Sequence, residues 1–442
     1  MLITVIGGGW SGCHLACELA DEGHQIVLLE RGSRIFDGTS GNFGIRLHRG
    51  PHYPRSKATR MHCQKNFDRF RNKYRDLVVD HEFSIYANGT VDSQNFPSKV
   101  SDETFHQVCR EIPGYKELEL GAYNFSEMGC AYDLEEPSVA IGARARSHFI
   151  EKLNKAGVQV ITNATVTDIK QFAVSSLSQP NIAVNFQHKP NADADATTTT
   201  LLSHVAINCT GFQSFVPEAV AQKSSPVHFE YTYQACLALK FRDTAPTSNK
   251  PMSFICMDGW FPCLMPAIAD NEDTNGPQKD YILTHGAYTI LGSWDTPEKA
   301  QSALDKTLAD KEIEAKIREP AESEMCRFWP EFSNRFKYEG WYGSVLAKPK
   351  CPTEFRTSFT FEHQGVIHVF PGKVTNVLDA QDEVFTLLKT RGTSSPSIIK
   401  EEDSRFVASG VFGEGRMELR KSATSQERTT SNLRTLAAIV GA

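Results

Sequence analysis

The chain has 442 residues, 40% of them hydrophobic, with 47 Lys and Arg against 53 Asp and Glu and a net charge of -6. That length needs two connected domains, or one large α/β domain carrying an insertion. The mildly acidic balance argues against nucleic acid as a partner, and no polybasic tract or long apolar run argues for a membrane.

Residues 2–6 (LITVI) predict a short buried strand, Gly7-Gly8-Gly9 a turn, and Ser11 to Asp21 a helix ended by Gly23. Gln25 to Leu29 predict the next strand, ending at Glu30, which completes a βαβ unit. Glycines, His14 and Glu18 interrupt the apolar start, and no charged segment precedes it, so it reads as strand and helix rather than a leader. Gly7, Gly9 and Gly12 form G-x-G-x-x-G at the strand-to-helix turn. The first glycine permits the turn, the second lets backbone approach a pyrophosphate, and the third lets helix and strand pack closely. The free N–H groups of the helix start, at Trp10 and Ser11, then face the negative charge. Glu30, followed by Arg31, stands where a carboxylate accepts hydrogen bonds from a ribose.

Residues 33–60 are rich in Gly, Arg and His and read as a functional loop. Ser40, Gly41 and Asn42 form its small polar part. Arg46, His48, Arg49, His52 and Arg55 add positive potential, although a basic loop paired with acidic neighbours is the competing reading. Residues 61–78 look helical, 83–135 mixed, and 140–156 an amphipathic helix ended by Gly157. Strands are expected at 158–162 and from Val166, and 187–200 reads as a polar hairpin tip. The segment LLSHVAINCTGFQS predicts a buried strand and a turn. From 227 to 345 strand patterns alternate with one helical stretch at 297–318, predicting an antiparallel sheet with a covering helix. Strand 366–370 leads into Pro371-Gly372 and a helix. Beyond Thr393 the chain turns Ser-, Glu- and Arg-rich and is expected to pack poorly, with a short helix at Leu433 to Val440. The 11 cysteines are scattered. Cys13 and Cys17 fit a helix core better than a metal pair, so no metal site and a reduced, cytoplasmic protein are expected.

The run V-I-G-G-G-W-S-G, continued by Ala16, Leu19, Gly23, Ile26 and Glu30, resembles the FAD-binding N-terminus of the D-amino-acid oxidase-like flavoproteins, of the glutathione reductase Rossmann type. Three later features separate this resemblance from an NAD dehydrogenase. GVQVITNATVTDI resembles the segment that brings a valine backbone to the adenine, with Val166 at that position. INCTG, with Cys209, Thr210 and Gly211, resembles the downstream turn that passes close beside the cofactor. The late strand and helix resemble the return of the chain to the flavin. There Gly372, Lys373, Val374 and Thr375 stand where many relatives have Gly-Asp.

The resemblance implies an α/β fold, in which a Rossmann-type FAD-binding domain with a parallel sheet carries an inserted antiparallel-sheet substrate domain. Its expected parts are FAD-binding segments at 1–80, 140–226 and 346–392, a cap segment at 81–139, the antiparallel domain at 227–345, and the tail at 393–442. His48 and His52 are implied near the flavin ring. The "GPH" at residues 50–52 also resembles a loop of UDP-galactopyranose mutase. Asp258 to Pro262 and His285 to Tyr288 are candidates for an apolar pocket over the flavin. Lys348 and Arg356 are candidate catalytic or substrate-gripping cations, suited to an anionic substrate. Cys351 is a candidate for covalent flavin attachment. The implied enzyme is an FAD-dependent oxidoreductase that oxidises an amine or amino-acid-like small molecule by hydride transfer, with dioxygen as the second partner. The alternatives are a single-Rossmann monooxygenase using NAD(P)H, a mutase-like flavoenzyme without net redox change, and a non-enzymatic flavin-binding protein.

Overall fold

The computed structural model describes residues 1–43, 45–174, 179–189, 193–217, 230–269, 277–350, 356, 358–370, 372–391 and 405–407. Cys351 and nearly all of the 393–442 tail, including 433–440, lie outside the described residues. The chain divides into two units. One contains residues 1–42, 142–231 and 356–416, and the other 43–141, 232–355 and 417–442.

The first unit is built on a seven-stranded sheet. Its order is Arg405–Val407, Phe359–His363, Val366–Phe370, Val205–Asn208, Leu2–Ile6, Gln25–Leu29 and Gln159–Ile161. Leu2–Ile6 pairs in parallel with both Gln25–Leu29 and Val205–Asn208, and Val205–Asn208 pairs in parallel with Val366–Phe370. Near-continuous apolar runs such as LITVI and QIVLL suit strands buried on both faces. The antiparallel layer of Ala164–Gln171, Ile182–His188 and Thr197–Ser203 contributes Val184 and Phe186 to a shared core with Val27, Leu29 and Ala206. The helix expected at 140–156 runs Gly142–Lys155, and the late helix Val377–Arg391 follows a 3-10 turn, Val374–Asn376.

The second unit is built on a nine-stranded, mostly antiparallel sheet in which Met252–Met257 runs parallel to Phe83–Gly89. The single helical stretch expected at 297–318 is two helices, Pro297–Leu308 and Lys311–Phe328. Asp310 breaks it by accepting the Glu312 and Ile313 amide N–H groups at 2.9 and 3.2 Å, so a fresh N-cap outweighs continued periodicity. Aromatic side chains fill this unit's core, with Phe254 stacked on Trp329 and Phe332 on Phe336.

Expected boundaries move at two places, since residues 346–350, expected with the FAD-binding segments, fall in the sheet unit. Residues 43–80 belong to the sheet unit, not to the nucleotide-binding unit. Helix Lys57–Lys73 is tied there by Arg60 to Glu111 (3.0 Å), and Ile45–Arg46 and Val78–Val79 both pair with Ser138–Val139.

Candidate FAD-binding site

The first unit places G-x-G-x-x-G between the central strand and helix Trp10–Asp21. Gly7 has φ +104°, a left-handed conformation that favours glycine, and its amide N–H donates to Leu29 O at 2.8 Å. A Cβ on Gly12 would stand 1.8 Å from Gly7 O, and one on Gly7 would stand 2.7 Å from Cys209 O. The turn is therefore closed around absent side chains. Gly9 offers no side chain to cap the helix, and the Trp10 N–H, expected to be free, is taken by Ser40 Oγ at 3.2 Å. This backbone cradle fits a pyrophosphate.

Glu30 organises the same loop. Its Oε2 accepts the Gly8 N–H at 2.6 Å, and its Oε1 accepts the Gly32 N–H at 2.7 Å. Ser40 Oγ accepts the Trp10 N–H at 3.2 Å and would stand 2.9 Å from a Cβ on Gly9. Gly41 is buried against Phe36 O, where a Cβ would come within 1.8 Å. Asn42 donates to Asp37 O at 2.9 Å, and Arg31 donates to Gln213 at 3.1 Å. The Trp10 side chain is buried, edge-on to Phe36 (5.5 Å) and Phe149 (5.1 Å), so the side chain contributes packing while the backbone serves the loop. Val166 packs half-buried against the core cluster that holds Leu29 and Phe186.

The INCTG turn is built by Asn208. Its Oδ1 accepts the Thr210 N–H (3.1 Å) and hydroxyl (2.7 Å), and its Nδ2 donates to Ser214 O at 2.7 Å. His368 Nδ1 lies 3.2 Å from Nδ2, and burial, with His363 adding to it, pushes that imidazole down to about 3, so it is neutral. Gly211 has φ +68°. Burial raises the Cys209 thiol to about 12, an inert packing group. At the late junction Lys373 N–H donates to Asn376 Oδ1 at 2.6 Å, and Asn376 donates to Asp379 at 3.2 Å. Gly372 is exposed, Lys373 and Val374 are half-buried, and Thr375 is buried. Asn208, Asn376 and Gly8 thus hold the loops together. The signal available for Asn208 and Asn376 was an amide side chain next to a tight turn.

The second unit carries the other candidates. His48, His52 and Tyr53 cluster at ring separations of 5.2–6.2 Å, beside Gly50 at φ +104°. The expected basic loop is partly neutralised, because Arg49 meets Asp68 (3.1 Å) and Arg55 meets Asp258 (2.6 Å). Lys348 donates to Gln234 Oε1 and lies 4.0 Å from Cys236 Sγ. A Cβ on Gly343 would stand 2.4 Å from Leu304, so strand alternation turns Lys348 away from helix Pro297–Leu308. Arg356 belongs to the first unit and is half-buried. The apolar pocket candidates meet neighbouring rings within this unit. Phe261 meets Phe328 of helix Lys311–Phe328, Trp260 meets Phe96, and His285 stacks near Tyr288. His285 Nδ1 accepts the Ala287 N–H at 3.1 Å, and burial, then Arg327, pushes the ring down to about 3, so it is a neutral core histidine.

A sheet with parallel strands around a glycine cradle, and a separate antiparallel sheet unit, fit a dinucleotide-binding protein. A family model for FAD-dependent oxidoreductases of the D-amino-acid oxidase type matches residues 3–372, and the chain belongs to that family. It is 47% identical over 442 residues, covering 100% of this chain and 98% of the relative, to the FAD-dependent monooxygenase kojA of Aspergillus flavus. It is 24% identical over 386 residues (87% and 90% of the two chains) to the FAD-dependent monooxygenase FPY4 of Fusarium mangiferae. Among solved structures it resembles NikD, an amino acid oxidase of nikkomycin biosynthesis (TM-score 0.62, 13% identity, 92% and 98% covered). It also resembles glycine oxidase from Geobacillus kaustophilus (TM-score 0.55, 12% identity, 92% and 99% covered), which places the fold. The protein is an FAD-dependent oxidoreductase with an amino-acid-oxidase-like fold, and no helix among the described residues is long and apolar enough to cross a membrane.

Proposed function

We propose that the enzyme oxidises a small, acidic or amine-bearing molecule, with the substrate as electron donor and dioxygen as the final acceptor. The observation that carries this reading is the family match over residues 3–372, which runs through both the nucleotide unit and the sheet unit. In this reading the Gly7–Gly12 cradle and the helix start bind the pyrophosphate, Glu30 a ribose, and Val166, Cys209–Gly211 and Gly372–Thr375 the rest of the dinucleotide. Bound FAD supplies a two-electron acceptor that no side chain of the chain can replace. Ser40 fixes the loop over the helix start. Lys348, steadied by Gln234, and Arg356 supply positive charge for an acidic substrate, and His48 and His52 are candidates for proton transfer. Free thiols at all ten cysteines among the described residues suit a cytoplasmic enzyme.

The name of the Aspergillus relative favours a second reading, in which one oxygen atom enters the substrate and NAD(P)H supplies the electrons. Anaerobic mixing separates the two. Bleaching of the flavin by a panel of amines and amino acids without NAD(P)H supports the first reading. Bleaching that requires NAD(P)H refutes it in favour of the second.

A further inference from the structure

His48 and His52 stand on either side of Gly50-Pro51, with their rings 6.2 Å apart and the Tyr53 ring 5.5 and 5.2 Å from them. Neither histidine belongs to a helix or strand, so its place depends on what holds residues 50–55. The loop makes two turns, Tyr53 N–H to Gly50 O at 2.9 Å and Ser56 N–H to Tyr53 O at 3.1 Å, and runs into helix Lys57–Lys73. Ser56 Oγ caps that helix by accepting the Thr59 N–H at 3.3 Å.

Arg60 lies in the first turn of the helix and is 8% exposed. Its guanidinium turns back toward the loop, the direction in which helical side chains lean. Nε and Nη2 grip the two oxygens of Glu111 at 3.0 and 3.3 Å, a bidentate pair. The remaining nitrogen, Nη1, donates to Pro54 O at 2.8 Å and to Tyr53 O at 3.2 Å. Gly50 closes against the same residue, since a Cβ there would stand 2.7 Å from Arg60 Cα. At the far end of the loop Arg55 donates to Asp258 at 2.6 Å, and Asp258 is 6% exposed.

Helix stability selects neither member of the Arg60–Glu111 pair. Arg60 puts a cation at the N-terminus of its helix, and Glu111 puts an anion at the C-terminus of helix Asp102–Arg110, each the unfavourable pole. A tie between the two helices is complete with Nε and Nη2, so the Nη1 bonds and the glycine contact serve the loop. Lysine, a single ammonium, has no planar fork to span a carboxylate and two carbonyls. We propose that Arg60, locked by Glu111, is a positioning residue that sets the His48–His52 pair through the Tyr53 and Pro54 carbonyls. Tyr53 follows His52 directly, so a displaced carbonyl carries the imidazole with it. This rests on the reading of His48 and His52 as proton-transfer groups beside the flavin, and names the residues that give the pair its geometry.

The test uses the FAD-loaded full chain and diethyl pyrocarbonate, which carbethoxylates accessible imidazoles. Mass spectrometry follows the peptides that hold His48 and His52, with the half-buried His24 and His188 of the nucleotide unit as internal controls. Flavin absorbance is recorded over the same time course. In wild type the flavin spectrum should change in step with modification of His48 and His52. Arg60→Gln should accelerate both several-fold, with the His24 and His188 rates, flavin content and circular dichroism unchanged. Arg60→Lys should recover part of the protection. Glu111→Gln keeps the guanidinium and its carbonyl bonds and should fall between wild type and Arg60→Gln; it decides the matter where Arg60→Gln does not fold. Wild-type rates at His48 and His52 in Arg60→Gln and Glu111→Gln overturn the proposal. So does an acceleration shared equally by His24 and His188, which marks general loosening. Modification of His48 and His52 that leaves the wild-type flavin spectrum untouched overturns the reading of the imidazoles as flavin neighbours, and the positioning role falls with it.

Discussion

Trp10 sits inside the glycine signature, at a position where a small residue would serve the loop, and its side chain is 4% exposed. It meets Phe36 edge-on at 76° and Phe149 at 88°, while Phe36 and Phe149 stack on each other at 5.1 Å. The three rings tie the start of helix Trp10–Asp21 to the loop after Gln25–Leu29 and to helix Gly142–Lys155. Trp10→Ala removes one member from a closed aromatic trio, and truncations of this kind cost about 3–5 kcal/mol. Two edge-to-face pairs, at roughly 0.5–1.5 kcal/mol each, account for part of that. The amides that cradle the pyrophosphate belong to the same helix start, so the loss should also loosen FAD. The assay is the urea midpoint of the holoenzyme in constant excess FAD, followed by circular dichroism, together with FAD affinity by quenching of flavin fluorescence. Trp10→Phe retains an aromatic edge and should lose less on both measures. A Trp10→Ala protein destabilised by less than about 1 kcal/mol would refute the packing argument. Full destabilisation with unchanged FAD affinity would refute the link from packing to cofactor.

Four further outcomes follow from the packing and hydrogen bonding of named residues. Gly12→Ala puts a methyl 1.8 Å from Gly7 O, and the protein should purify without flavin absorbance, whereas Gly23→Ala, with nothing within 4 Å, should remain yellow. Glu30→Gln can satisfy only one of the two amides that the carboxylate accepts, and a hydrogen bond to a charged group is worth about 1.5–3 kcal/mol. FAD affinity should therefore fall roughly ten- to hundredfold in a reconstitution titration. Arg335→Met leaves Asp243, 1% exposed, without the guanidinium that grips both its oxygens at 2.6–3.0 Å, and should cost about 3–5 kcal/mol in a denaturant titration. Glu136 ionises in the folded protein near 7 and in an unfolded chain near 4.5, so the folded state holds the proton more tightly. Its contribution is complete below the unfolded value and is lost as pH rises through about 7, a penalty of about 3 kcal/mol at about 1.36 kcal/mol per decade. Wild-type stability should fall between pH 5 and pH 8 by more than that of Glu136→Gln.

The parts of the cofactor site that were legible in the sequence are those where backbone geometry admits few residue types. Gly7 and Gly12 are forced by contacts under 3 Å, and Glu30 by the amides that converge on it, so the pattern and its spacing carried the structure with them. Side-chain partnerships across long separations left no such trace. Ser40 reaches Trp10 across 30 residues, Asn208 reaches His368 across 160, and Lys348 reaches Gln234 across 114. The boundary at residue 42 was equally hidden, because the loop that follows is written in Arg and His whichever unit it joins. Local sequence could show Arg46, Arg49 and Arg55 there but not which of them found a carboxylate. Asp68 and Asp258 take Arg49 and Arg55, and only the fold reveals that Arg46 is set on Tyr86 above a buried Glu136 instead. Positive charge in a loop is ordinarily balanced by solvent or by nearby acids. A guanidinium fixed on a ring, with a buried carboxyl behind that ring, is a partnership that only the fold assembles.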